Sequence, residues 1–132
     1  MKTELIEIVK KYISAIEDKT DINEIFRFYH PEIEQIEFPN LLLRNKTVRK
    51  LGDLKDAYLK GKAVLQSEKY KIINAFEQNN VVIIEAQWRG VLAIPYGNKR
   101  PGDELKANFA QFYEFKNDKI FKQRNYDCFE DL

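Results

Sequence analysis

The chain is poor in several reactive or structure-breaking residues. It holds one cysteine (Cys128), one histidine (His30), one methionine and one tryptophan, with five glycines and four prolines over 132 residues. A lone thiol closes no internal disulfide and offers no second ligand at metal-binding spacing, so a reducing compartment is the natural reading. Charge is nearly balanced, 22 Lys and Arg against 21 Asp and Glu. No broad field is left to hold a phosphate polymer, and nucleic acid is not an expected partner. Long apolar runs are missing from the opening segment MKTELIEIVKKYISAIEDK, where charges interrupt the apolar residues. It reads as neither signal peptide nor membrane span, and the expectation is a cytoplasmic protein with no membrane partner. No nucleophile elbow, paired-histidine metal motif, dinucleotide fingerprint or phosphate loop occurs, so no metal or cofactor is expected.

What is present fits one domain spanning residues 1–132, with 44% hydrophobic residues to build a core. Leu5, Ile8, Val9, Tyr12, Ile13 and Ile16 recur at helical spacing and predict a first helix of about 16 residues. Thr20 or Asp21 then stands as N-cap, Glu24 completes a capping box, and Ile22, Ile25, Phe26 and Tyr29 form a second apolar face ended by Pro31. Ile33 to Phe38 alternates like a short strand stopped by Pro39, residues 40–50 read as irregular, and Asp53 caps a third helix that ends near Ser67. Beyond residue 68 the texture changes to β-branched and aromatic runs separated by QNN, PYGNKRPGD and KND. Four long strands joined in succession predict an antiparallel meander with the helices on one face, an α+β domain. The segment 96–103, with Gly97 and Gly102, reads as a mobile hairpin loop.

The last strand breaks the usual alternation of apolar and polar faces. One face reads Phe121, Gln123, Asn125, Asp127, Phe129 and the other Ile120, Lys122, Arg124, Tyr126, Cys128. A polar row flanked by phenylalanines suggests a lined cavity, because buried amides and carboxylates cost several kcal/mol unless paired. Asp127, desolvated between aromatics, would gain proton affinity and could act as an acid or base near neutral pH. Alternatively it caps a turn or pairs with Arg124 or a lysine. Trp88 is read as a core residue that can also line a pocket, sharing its face with Ile84, Ala86, Leu92 and Ile94. Tyr12, Tyr58, Phe109 and Tyr113 are further candidates for cavity walls, with ordinary core packing as the alternative. His30, ahead of a proline, reads as a cap or surface group.

Three helices, a short first strand and four long strands ending in FYEFKNDKIFKQRNYDCFE (residues 112–130) resemble the nuclear transport factor 2-like superfamily, in its SnoaL-like, ketosteroid isomerase-like branch. That resemblance implies a cone: a curved antiparallel sheet wrapped around three helices and closing on an interior pocket. It also implies a homodimer paired through the outer sheet face. Asp127 looks like the acid/base aspartate that polyketide cyclases of this branch place on the final strand. The steroid isomerases place their base on the first strand in a carboxylate–proline pattern similar to residues 37–39, where the aligned position here is Phe38. Glu37 is adjacent, but a one-residue step turns a strand side chain to the other face. Scytalone dehydratase-like chemistry calls for pocket histidines, and only His30 exists.

Two functions follow from these residues. One is a cofactor-independent isomerase, cyclase or lyase that moves a proton beside a carbonyl of a small hydrophobic substrate. Asp127 would be the base, Gln123, Arg124 or Asn125 would orient the substrate, and Trp88, Phe109, Tyr113, Tyr12 and Tyr58 would wall the site. The other is a non-catalytic small-molecule-binding or dimeric scaffold protein of the same fold.

Overall fold

The computed structural model describes residues 4–130; residues 1–3 of the opening segment and 131–132 lie outside them. The elements run α1 (Leu5–Glu17), α2 (Ile22–Phe26), β1 (Tyr29–Glu37), β2 (Thr47–Arg49), α3 (Leu51–Val64), β3 (Leu65–Gln78), β4 (Val81–Leu92), β5 (Glu104–Lys116) and β6 (Lys119–Phe129). The strands form one sheet in the order β2-β1-β6-β5-β4-β3. Four of the five pairings are antiparallel, as expected, but β1 runs parallel to β6, so the sheet is mixed rather than purely antiparallel.

Each helix forms where the periodicity places it, with different ends. Leu5, Val9, Tyr12 and Ile13 are the buried stripe of α1. The Asp21 carboxylate accepts the Asn23 N–H and caps α2, which lasts only five residues. Tyr29 and Pro31, expected to end that helix, belong instead to β1. Pro31 is tolerated there because the β1–β6 register jumps between Tyr29 and Glu34, so no ladder bond is demanded of its missing N–H. Residues 47–49, expected to be irregular, make an edge strand on β1. Asp53 sits three residues inside α3 rather than at its cap, and its carboxylate accepts the Lys50 N–H at 2.9 Å. The third helix ends at Val64, three residues short of Ser67.

Tight turns fix the meander. Asn79 and Asn80 (φ 51° and 65°) join β3 to β4, and Asn117 and Asp118 (φ 54° and 59°) join β5 to β6. Positive φ at both central residues is the turn geometry that matches strand twist, and Asn and Asp tolerate it best among residues with a Cβ. The β4–β5 connection, read as mobile, is internally tied: Tyr96 and Lys99 exchange backbone bonds of 3.0 and 2.9 Å, and Asp103 accepts the Arg100 N–H at 2.8 Å. Ile94, expected to share the Trp88 face, lies past the end of β4 and is exposed.

Two apolar clusters hold the interior. One joins α1 to Ile25, Ile33, Leu54 and the inward residues Val82, Ile84, Tyr113 and Ile120. The other gathers Trp88, Leu92, Leu105 and Phe109 with Leu42, Tyr96 and Phe129 near the opposite end of the strands. Trp88 lies flat over Gly90, where a Cβ would stand 2.5 Å from the indole Cη2. A Gly90→Ala substitution should therefore cost about 1–3 kcal/mol through overpacking, read as a lower melting temperature with altered Trp88 fluorescence. Gly61→Ala, in open space on α3, should instead raise stability by up to about 1 kcal/mol.

Candidate functional site

Strand β6 turns Gln123, Asn125, Asp127 and Phe129 inward and Lys122, Arg124, Tyr126 and Cys128 outward. The expected faces fail at one end, because the β5–β6 register shifts between Glu114 and Phe115. A bulge at Phe121 puts Ile120 in the core and leaves Phe121 outside, with its ring edge-on to His30 at 5.1 Å.

The register carries the polar row across the sheet. Gln123 lies between Gln35 of β1 and Tyr113 of β5; Asn125 lies between Glu37 and Gln111; Asp127 pairs with Phe109. Gln35, Gln111, Gln123 and Asn125 are all buried. Glu37 thus faces the interior and Phe38 the outside, where its ring stacks on Tyr126 at 4.5 Å. Sequence reasoning missed Gln35, Glu37, Arg49, Gln111 and Tyr29. The signal was available in part: an amide and a carboxylate two residues apart in β1 match the amide-amide-carboxylate spacing of β6, which predicts a common polar face when the two strands pair in register.

Hydrogen bonds consume most of this polarity. Gln123 Nε2 donates to Asn125 Oδ1 at 2.9 Å, the Tyr113 hydroxyl donates to Gln111 Oε1 at 2.5 Å, and the Tyr12 and Tyr29 hydroxyls lie 2.5 Å apart. Glu37 accepts from Arg49 Nη1 at 2.8 Å and from Asn40 Nδ2 at 3.0 Å. Two buried oxygens have no partner: Gln123 Oε1 and Asp127 Oδ1. Burial is the main force pushing the Asp127 carboxyl up to about 7, Glu37 adds to it, and Arg49 opposes. Burial also drives the Tyr12 phenol to about 12 and Tyr29, Tyr70 and Tyr113 well above their ordinary range, so all four stay protonated. The site is a carboxyl able to gain or lose a proton near neutrality among groups that keep theirs.

Aromatic side chains pack beside Asp127. Trp88 stacks on Phe109 at 5.4 Å, and Phe129 meets both rings edge-on at 5.8 and 6.0 Å. Trp88 Nε1 donates to Glu68 at 3.0 Å, and burial raises the proton affinity of Glu68 while this bond opposes it. Trp88, Phe109 and Phe129 thus pack against one another on the side of Asp127 where an open hollow was expected. Surface hollows of about 440, 390 and 360 Å³ are not lined by Asp127, Asn125 or Gln123, although Phe109 borders the last of them.

The structure brings together Asp127, Asn125, Gln123, Tyr113, Tyr12, Phe109 and Trp88. It separates two candidates from them. Arg124 lies on the outer face, paired with Glu114 and over the Phe112 ring at 5.3 Å. Tyr58 sits on α3, where its hydroxyl donates to the Thr20 carbonyl at 2.5 Å. Among the described residues no cluster of His, Cys, Asp and Glu is placed to hold a metal ion, and no helix is long and apolar enough to cross a membrane.

No family model and no curated protein matches the chain. Solved structures do. IdmH from Streptomyces antibioticus, described as a proposed polyketide cyclase, is 10% identical over 95% of this chain and 92% of its own, with a TM-score of 0.79. A nuclear transport factor 2-like protein from Burkholderia thailandensis is 16% identical over 96% and 92%, at 0.72. A protein of ketosteroid isomerase-like fold from Catenulispora acidiphila, solved with trimethylamine, is 15% identical over 91% and 84%, at 0.71. The chain has the nuclear transport factor 2-like fold.

A carboxyl whose folded value is raised binds more protons in the native than in the unfolded state between its ordinary 3.8 and about 7. Its stabilising contribution is therefore complete below that window and lost as pH rises through it. Asp127→Asn should be more stable than the wild type at pH 8, by up to about 4 kcal/mol, and the gap should close toward pH 4. Thermal melts across that range check it.

Proposed function

We propose that the chain is an isomerase or cyclase that moves a proton beside a carbonyl of a small hydrophobic substrate, with Asp127 as the proton carrier. The observation that carries this reading is the buried Asp127 Oδ1 without a partner, on a carboxyl that titrates near neutral pH among aromatic rings. A group half ionised at working pH can take a proton from carbon and return it elsewhere with little penalty in either direction. In the forward step the ionised Asp127 accepts the proton of the substrate C–H, the C–H pair moves into an enolate, and the protonated Asp127 then delivers that proton to another carbon or to oxygen. Asn125 and Gln123 lie on the same inward row and orient the substrate; Arg124, on the other face, has no part. Trp88, Phe109 and Phe129, whose flat faces suit an aromatic or polycyclic ligand, form the wall against which substrate lies. The fold is shared with a proposed polyketide cyclase, which supports the class of reaction, and with a protein solved holding a small molecule.

A panel of small aromatic ketones in deuterated buffer tests this whatever the natural substrate. Wild-type protein should accelerate exchange of the hydrogen beside the carbonyl, and Asp127→Asn should lose about 10²–10⁴-fold of that rate while keeping its fold. Equal rates in the two proteins would remove the catalytic assignment.

A second reading, a binding or scaffold protein paired through the outer sheet face, draws on a different observation. A hollow of about 360 Å³ on that face is lined by Ile73, Ala110, Tyr126 and Cys128, and Ile73 and Tyr126 are both more than two-fifths exposed. A second copy of the chain fits this patch, since an isologous contact would cover both apolar surfaces at once. Light scattering should give a dimer for the wild type and a monomer for Tyr126→Lys; a wild-type monomer at micromolar concentration would exclude the pairing.

A further inference from the structure

The interior contains a second carboxylate, and its surroundings differ from those of Asp127. Glu37 closes β1 with its side chain inward, opposite Asn125 and diagonal to Asp127 on the same face. Both of its oxygens accept hydrogen bonds, one from Arg49 Nη1 at 2.8 Å and the other from Asn40 Nδ2 at 3.0 Å. Donors at both oxygens suit the ionised form of a carboxylate, which is acceptor-only.

The clamp is itself built into the fold. Asn40 also donates to the Phe38 carbonyl at 3.2 Å and accepts the Leu42 N–H at 2.9 Å, while its backbone exchanges bonds of 2.9 and 3.1 Å with Leu43. Arg49 is delivered by β2, where it stands opposite Gln35, and its Nη1 also lies 3.5 Å from Gln35 Oε1. The tight turn after β1 and the short edge strand thus converge on one side chain.

We propose that Glu37, held by Arg49 and Asn40, is a positioning residue for the site: an anion clamped on the same face that adds to the preference of Asp127 for its proton. This rests on the reading of Asp127 as the proton carrier and assigns the residues that set when it carries. Two carboxylates sharing a desolvated site cannot both ionise cheaply, so the one with donors stays charged and the one without takes the proton. The charged and titratable groups that face Asp127 come from four strands: Glu37 from β1, Arg49 from β2, Tyr70 from β3 and Tyr113 from β5. The tyrosines stay neutral, which leaves Glu37 and Arg49 as the charged pair that adjusts, in opposite directions, what burial sets. Burial alone favours the neutral acid, Glu37 adds to that preference and Arg49 subtracts from it.

The opposed signs make the test specific. In ligand-free protein labelled with ¹³C at the aspartate carboxyls, the Asp127 resonance is followed against pH in the wild type and in three variants. Glu37→Gln should lower the midpoint by about 0.5–1 unit, Arg49→Met should raise it by a similar amount, and Glu37→Asp, which keeps the charge, should leave it close to the wild type. Unchanged midpoints, or shifts of the same sign in Glu37→Gln and Arg49→Met, would overturn the proposal. If Glu37→Gln does not fold, Arg49→Met decides alone: a raised midpoint supports the pair and an unmoved one removes it. The ketone exchange rate is read separately. Opposed shifts with no exchange would leave the pair standing and end the catalytic reading; exchange lost in Asp127→Asn with unmoved midpoints would do the reverse.

Discussion

The cost of holding an ionisable group out of water organises this molecule. Asp127 lies in the interior with one oxygen buried and unpartnered, and such a group either finds donors or takes a proton. The neighbouring positions on the sheet reflect that choice. The Gln123 amide N–H is committed to Asn125 Oδ1, the Tyr113 hydroxyl is committed to Gln111, and the guanidinium that could neutralise Asp127 is bonded to Glu37 instead. With the nearby donors assigned elsewhere, Asp127 keeps a proton to about pH 7.

The same constraint links the polar row to the aromatic cluster beside it. A raised carboxyl needs water kept away, and the stack of Trp88 on Phe109 with Phe129 across both excludes it. The stack in turn depends on backbone detail: Gly90 leaves room for the indole, and Glu68 holds its nitrogen. Destabilising the ring pose would admit water to Asp127 and move its titration toward the ordinary carboxylate range. Packing of the rings and proton chemistry at the carboxyl beside them are therefore one property.

Much of this is legible in the residues. Helical spacing marks α1 and α3, and β-branched and aromatic runs separated by QNN, PYGNKRPGD and KND mark the four long strands, because these signals are local and repeat over many residues. The polar row on β6 is visible for the same reason. What escapes depends on pairing at a distance. Tyr29 has the apolar character of a helix face, yet it joins β1 because β6 offers it a ladder partner in Ile120. Three residues of β2 are too few to show a period. The bulge at Phe121 exchanges the faces of β6 without any mark in composition, so strict alternation puts Ile120 and Phe121 the wrong way round. Phe38 occupies the position aligned with a known base and draws attention from Glu37, whereas the parallel register with β6 turns Glu37 inward. Arg49 has no place at the site without the short edge strand that carries it.

The proton affinity of one side chain underlies this chemistry, and it can be measured on the unmodified protein. The Asp127 carboxyl, followed by its ¹³C chemical shift from pH 3 to pH 9, should titrate with a midpoint near 7, as a desolvated acid beside an anion does. A midpoint close to 4, the value of a carboxyl in water, would mean that Asp127 is hydrated or paired in solution and would contradict the reading of the interior as a proton-carrying site.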